Sequence, residues 1–219
     1  MITGIEEKME MQAGIVVEHV SKAFGKEQVL KDVNLTIPPG QICGIVGNNG
    51  SGKTVLMKCI CGFLHPDSGR IFVNEKQVGW DCDFPDSLGV IIETPGFIPN
   101  LSGYQNLKIL AALKVRIGKS EIMETLDRVG LSHAMKKPVA KYSLGMRQRL
   151  GIAQAIMENP NVLILDEPFN GLDKAGVAQM RELLKELKTQ GKAVLLASHN
   201  AQDIEELCDA VHEMEDKWK

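Results

Sequence analysis

Nowhere in the chain do about 18 apolar residues follow one another, the length a helix needs to cross a bilayer, and the start MITGIEEKMEM lacks the apolar core of a signal peptide. The chain is therefore not itself a membrane channel, and the cytosol is its expected compartment. Cysteine is scarce and unpatterned. Cys43, Cys59, Cys61, Cys82 and Cys208 form an odd set without a repeated CxxC spacing, which argues against a disulfide framework and a zinc site. Cys59 and Cys61 flank one residue of a helical pattern and so point to different faces; all five are read as small buried hydrophobes. An excess of one charge is lacking too: a formal net charge of −3 argues against a nucleic-acid surface as the main purpose. Internal repeats and low-complexity linkers are absent.

What is present is an ordinary globular chain of 219 residues, 44% hydrophobic and 24% charged, enough for one large domain or one domain with a small lobe. Residues 1–14 read as a frayed leader and 15–219 as a single folded unit. β-branched apolar runs alternate with helical periodicity: ICGIV at 42–46 before VLMKCICGFL, VLILD at 162–166 before a long charged helix, and AVLLAS at 193–198 before another helix. That alternation predicts an α/β fold with a mostly parallel sheet. VLILD is apolar on both faces, as a helix-covered sheet requires, and ligands then belong at the carboxyl ends of such strands. IVVEHV and VLKDVNLTI, joined by FGKEQ and closed by the PPG turn at 38–40, predict an N-terminal antiparallel β layer ahead of this core. From about 100 to 158 no strand is expected. Ser102 with Gln105 forms a capping box, Ser120 starts a second helix, and Ser143 starts a third that ends at Asn159-Pro160; together these read as an inserted helical subdomain.

GNNGSGKT at 47–54 has the form GxxxxGK[ST] between a strand and a helical pattern, the context that motif needs. Gly47, Gly50 and Gly52 allow backbone turns closed to other residues. The N–H groups of the loop, with Asn48, Asn49 and Ser51 between those glycines, then point inward with the helix N-terminus at phosphate oxygens. Lys53 adds a cation for the β and γ phosphates, and Thr54 a hydroxyl for Mg²⁺. VLILDE at 162–167 delivers two adjacent carboxylates to a strand end: Asp166 for the Mg²⁺ shell, and Glu167 to accept a proton from, or orient, an attacking water. The combination indicates nucleotide hydrolysis. A guanine reader would need NKxD after a later strand, and the near match NEKQ at 74–77 lacks the Asp and comes too early. With a GTP switch set aside, a motor for membrane transport and a soluble ATPase of DNA maintenance or translation remain.

The stretch YSLGMRQRLGIAQAI at 142–156, just ahead of VLILDEP, carries a family resemblance. From about Ile15 onward the chain resembles an ABC-type ATP-binding cassette, with a P-loop NTPase core. The family's LSGGQ signature stands here as YSLGM, keeping Ser143 and Gly145 while Leu144 and Met146 replace a glycine and the glutamine. A serine at a helix start leaves a dipole end and backbone donors open to an anion, and its plain alternative is an N-cap. The resemblance implies that Asp173 of FNGLD faces a partner subunit, with helix capping an equal alternative. It also implies that His199 reaches the γ-phosphate, and that Phe24 stacks on adenine, with a place in the core the alternative. Lys53, Glu167 and His199 are then the catalytic set of an ATPase using ATP and Mg²⁺. Two cassettes, identical or different, would pair head to tail, each ATP lying between the phosphate loop of one chain and the Ser143 region of the other. A separate transmembrane permease is implied, with the chain peripheral on the inner face of the membrane and no nucleic-acid partner. Against the soluble ATPase stand the single cassette, the acidic balance and the lack of a coiled-coil insertion.

IIETPGF at 91–97 ends an apolar run on one carboxylate, Glu93. In most cassettes this position is a glutamine that touches the metal or water and the transmembrane partner. LGVIIETPGFIPNLSGYQNL and YSLGMRQRL are similar to the bacitracin-resistance and lantibiotic-immunity exporters, where glutamate is usual. The resemblance implies an exporter of antimicrobial peptide or a similar compound, with Glu93 as a metal and coupling residue; a surface ion pair is the plain alternative. A full negative charge would bind Mg²⁺ more strongly than an amide oxygen and would also repel the γ-phosphate. The ending VHEMEDKWK falls roughly where family members make their last strand and turn, so a short or absent closing segment is expected.

Overall fold

The computed structural model describes residues 14–114 and 117–214. Most of the expected leader lies outside the described residues, and its last residue, Gly14, is no frayed end. Gly14 is buried, its carbonyl accepts the Asn74 N–H at 3.1 Å, and a Cβ there would come within 2.4 Å of Ala193 Cβ.

The described strands are β1 (Ile15–Phe24), β2 (Glu27–Ile37), β3 (Ile42–Val46), β4 (Ser68–Val73), β5 (Lys76–Gln77), β6 (Leu88–Ile91), β7 (Val162–Asp166), β8 (Ala193–Ala197) and β9 (Ala210–Glu213). The helices are α1 (Lys53–Ile60), α2 (Gly103–Lys114), α3 (Lys119–Arg128), α4 (Leu144–Ile156), α5 (Lys174–Thr189) and α6 (Ala201–Leu207). Strands β6-β7-β8-β3-β9 make a parallel sheet, and β2-β1-β4-β5 an antiparallel one. The antiparallel layer does not simply precede the core, as the sequence suggests. Its third and fourth strands come from residues after α1: β4 pairs with β1, and its Ile71 and Val73 bury in the same core as Ile15 and Val17. The closing strand, expected to be short or absent, is present and four residues long: β9 pairs in parallel with β3 from Cys43↔Ala210 to Val46↔Glu213.

The parallel strands separate two cores by simple alternation. Leu163, Leu165, Val194 and Leu196 face the helices α2 to α6, whereas Val162, Ile164, Ala193, Leu195 and Ala197 face α1 and the antiparallel layer. That is why VLILD carries no polar residue before its last position. Two glycines mark where helices come too close to the sheet for a side chain. A Cβ on Gly89 of β6 would meet the Ala155 carbonyl of α4 at 2.0 Å, and one on Gly44 of β3 would meet Cys208 Sγ at 2.9 Å.

In the helical part, Ser102 and Gln105 form the expected reciprocal cap: the Ser102 N–H donates to Gln105 Oε1 at 2.9 Å, and the Gln105 N–H donates to Ser102 Oγ at 3.2 Å. The next helix starts earlier than Ser120 suggests. Glu121 reaches back to accept from the Gly118 N–H at 3.0 Å, so a carboxylate does the capping, and the Ser120 hydroxyl bonds to Glu121 itself at 2.9 Å. Between 100 and 158 no strand forms among the described residues, apart from a single bridge between Ser102 and Pro138. Cys43, Cys59 and Cys61 are buried, while Cys82 and Cys208 are only partly so. Burial pushes the Cys59 thiol up to about 11 and Cys61 up to about 12, so both remain protonated, inert packing groups.

Candidate nucleotide site

The loop between β3 and α1 is held in left-handed backbone at three glycines. At Gly52, φ is +100° and a Cβ would lie 2.9 Å from both Leu30 Cδ2 and the Val29 carbonyl, so this turn closes only with glycine. The chain then enters α1 directly, with the Leu56 N–H bonding the Gly52 carbonyl at 2.8 Å. This aims the free N–H groups of the first turn at the loop's concave side. The Lys53 ammonium folds back on the Gly47 and Asn48 carbonyls at 2.6 and 3.0 Å. Ser51 Oγ is buried without a hydrogen-bond partner, an orphan that fits a group arriving from outside the chain.

Beside this loop a cleft of about 580 Å³ opens along the carboxyl edge of the sheet. It is lined by Phe24, Asn49, Gly50, Gly52, Lys53, Thr54, Asp166, Glu167 and His199, together with Glu27, Val29 and Val55. Its size suits a nucleotide. The Thr54 hydroxyl donates to Asp166 Oδ2 at 2.9 Å across 112 positions of sequence, bringing two hard oxygen donors together as a Mg²⁺ shell requires. Glu167 sits just beyond with φ +50°, its N–H fixed to the Ala197 carbonyl at 3.0 Å. Its Oε1 is buried without a hydrogen bond and lies 3.3 Å from His199 Nε2. Desolvation raises the Glu167 carboxyl above the ordinary carboxylate range, opposed by the imidazole and backbone N–H of His199 and by Lys53. A carboxylate held in this way can accept a proton or orient a water.

Phe24 does not take the core position that was one of its two readings. The two-residue turn after it, with Gly25 at φ +61°, holds its ring 49% exposed at the lip of the cleft, away from both cores. The remaining residues singled out in the sequence lie outside the lining. Ser143 caps α4, accepting from the Met146 N–H at 3.2 Å, and its hydroxyl end is exposed. Gly145 packs on the next loop, where a Cβ would meet the Gly171 carbonyl at 2.7 Å. Asp173 caps α5 through the Gly176 N–H at 2.9 Å. Glu93 has φ +59°, and its exposed carboxylate takes the Lys58 ammonium at 2.6 Å, so the ion-pair alternative describes this conformation.

A family model described as ABC transporter matches residues 30–170. The chain belongs to the ABC transporter family. Its relatives are ATP-binding cassettes, ATPases that drive transport. The uncharacterized ABC transporter ATP-binding protein YdbJ of Bacillus subtilis is 44% identical over 89% of this chain and 64% of that protein. The bacitracin transport ATP-binding protein BcrA of Enterococcus faecalis is 41% identical over 93% of the chain and 67% of its own length. The lantibiotic transport ATP-binding protein SrtF of Streptococcus pyogenes is 37% identical over 89% and 84%. This cassette thus spans about two thirds of the length of YdbJ and BcrA. Among solved structures, the ATP-binding subunit of an ABC transporter superposes with a TM-score of 0.82 at 28% identity, covering 91% of the cassette and 85% of that chain. A bacterial ABC transporter cassette solved as a dimer has the same TM-score at 24% identity, covering 91% and 94%, and shares the fold. These relatives support the transport reading and not a soluble ATPase of DNA maintenance or translation. Among the described residues, no helix of the cassette is long and apolar enough to cross a membrane.

Besides the lining residues Glu27, Val29 and Val55, two residues next to the site escaped the sequence reading. Lys58 stands four positions after Thr54, hence on the same face of α1, and that spacing was the available signal. Gln148 of α4 donates to the Glu167 carbonyl at 3.2 Å, tying the helix that Ser143 caps to the carboxylate; nothing local in RQRLG announces it.

Proposed function

We propose that this cassette binds ATP with Mg²⁺, hydrolyses it, and thereby drives export of an antimicrobial peptide or similar compound of the bacitracin or lantibiotic type. It would do so peripherally on the inner face of the membrane, through a separate transmembrane permease. The observation that carries the hydrolytic reading is the convergence of Lys53, Thr54, Asp166, Glu167 and His199 on one cleft. The names of BcrA and SrtF support the cargo class.

On this reading the loop N–H groups and Ser51 receive phosphate oxygens, and Lys53 leaves its two carbonyl partners for the β and γ phosphates. Thr54 and Asp166 would hold Mg²⁺, which supplies charge neutralisation across the phosphates when bound. Glu167, its carboxyl raised by burial, orients or deprotonates the attacking water, and His199, 3.3 Å from it, reaches the γ-phosphate. Ser143 and Gly145 lie outside the cleft of their own chain, which supports their serving the nucleotide of a second cassette. Glu93 and Asp173 would meet the permease and that second cassette, and Glu93 would have to give up Lys58 to serve as a metal ligand.

Glu167→Gln tests the core of this reading. The variant keeps ATP binding, loses about 10²- to 10⁴-fold in kcat, and accumulates as an ATP-bound pair on gel filtration. Undiminished turnover would sink the role of Glu167; a monomer in excess ATP would mean either that self-pairing is wrong or that the mate is a different cassette. For cargo, cells lacking the chain are compared for survival in bacitracin and in a lantibiotic.

A further inference from the structure

Between α5 and α6 lies a charge pair that the chemistry above does not use. Arg181 and Asp203 are 7% and 2% exposed. The guanidinium donates to Asp203 Oδ1 through Nε at 2.9 Å and through a terminal nitrogen at 2.5 Å, and its other terminal nitrogen meets Glu206 at 2.8 Å. Isolated buried charges are costly, and such a pair adds little net stability over apolar packing. Its other oxygen explains the arrangement. Asp203 Oδ2 accepts the Ser198 hydroxyl at 2.6 Å, and Ser198 Oγ in turn accepts the Asn200 N–H at 3.1 Å. The two residues flanking His199 are therefore tied, through one hydroxyl, to a carboxylate that Arg181 holds rigidly. His199 itself is exposed over 56% of its side chain, and little packing fixes it.

We infer that Arg181, Asp203 and Ser198 are positioning residues that set the backbone at 198–200, and so fix the imidazole and N–H of His199 against Glu167. The inference rests on the hydrolytic reading of the cleft. Ser198 is the link whose loss leaves the buried pair in place, and Asp203→Asn removes the charge at nearly constant shape. A misplaced catalytic group loses turnover more than binding, because the nucleotide is held by the loop and Lys53 on another element.

The experiment measures kcat, KM and fluorescent-ATP binding for the full chain carrying Ser198→Ala, Asp203→Asn or His199→Ala, and for each of the first two combined with His199→Ala. Ser198→Ala is expected to lower kcat about tenfold, with KM and ATP affinity within about twofold, and Asp203→Asn to lower it further. In the His199→Ala background neither change lowers kcat again, since a residue acting through another is silent once that one is gone. Full additivity, or wild-type kcat in Ser198→Ala, overturns the inference. Should Asp203→Asn fail to fold, Ser198→Ala and its double variant decide alone. Wild-type turnover in His199→Ala by itself would overturn the reading of the cleft and this inference with it, and is visible before any other substitution is made.

Discussion

The carboxyl edge of the parallel sheet and the start of α4 are equally dense in motif residues, yet the fold treats them differently. At the sheet edge, residues from 47 to 199 meet within one chain: Thr54 on Asp166, Glu167 beside His199, Lys53 folded into its own loop. At the start of α4, Ser143 caps a helix and otherwise faces solvent, and the apolar Leu144 beside it is 57% exposed. The first region gathers its groups from one chain. The second caps its helix and turns an exposed serine and leucine to solvent, and on the proposed reading a second cassette would cover them.

Substitutions can break that contrast or sharpen it. Lys53→Ala should have the largest effect: ATP binding by the single chain weakens about 10- to 100-fold, as for loss of a charged hydrogen bond worth 1.5–3 kcal/mol, and turnover falls to background. Ser143→Ala should leave binding at low protein concentration unchanged and lower kcat about tenfold only where the chain pairs. Its cap loss costs about 1 kcal/mol in thermal unfolding. Equal weakening of single-chain binding by both would abolish the distinction between the two regions. The pH profile comes next. Glu167 acts deprotonated and burial holds its carboxyl above the ordinary carboxylate range, so kcat should fall as pH drops through that raised value. The acid limb then lies above about pH 4.5, and it disappears in Glu167→Gln. Smallest is Glu93→Gln, which frees Lys58 from an exposed pair of little energetic worth. ATP affinity should hold, and turnover or its response to the permease should change about two- to threefold; wild-type values for both, with wild-type protection in cells, would leave the ion pair as the whole role of Glu93.

What the sequence made legible follows the same division. GNNGSGKT and VLILDE are short, and their chemistry depends on residues a few positions apart, so loop, strand and acidic pair could be read directly. Phe24 and Glu93 each kept two readings, because both depend on how elements pack in space: Phe24 on the cleft that forms beside its turn, Glu93 on Lys58 of α1, 35 positions away. The Arg181–Asp203 pair spans 22 positions and two helices, and no local pattern distinguishes its members from ordinary surface charges on amphipathic helices. β4 was missed for a related reason: it takes its partner from β1, laid down much earlier, so its short run looks unremarkable alone. Ser120 misled because a serine before a helical run resembles a cap even when the glutamate after it does the capping.

The alternation along β7 gives the molecule a built-in mechanical reporter. Leu163 and Ile164 are neighbours on the chain but belong to opposite cores, one under the helices and one under the antiparallel layer. Shaving methyl groups at one and then the other would soften the two halves separately while leaving the strand between them in register. Amide exchange measured on each side would then tell which half yields first when nucleotide binds.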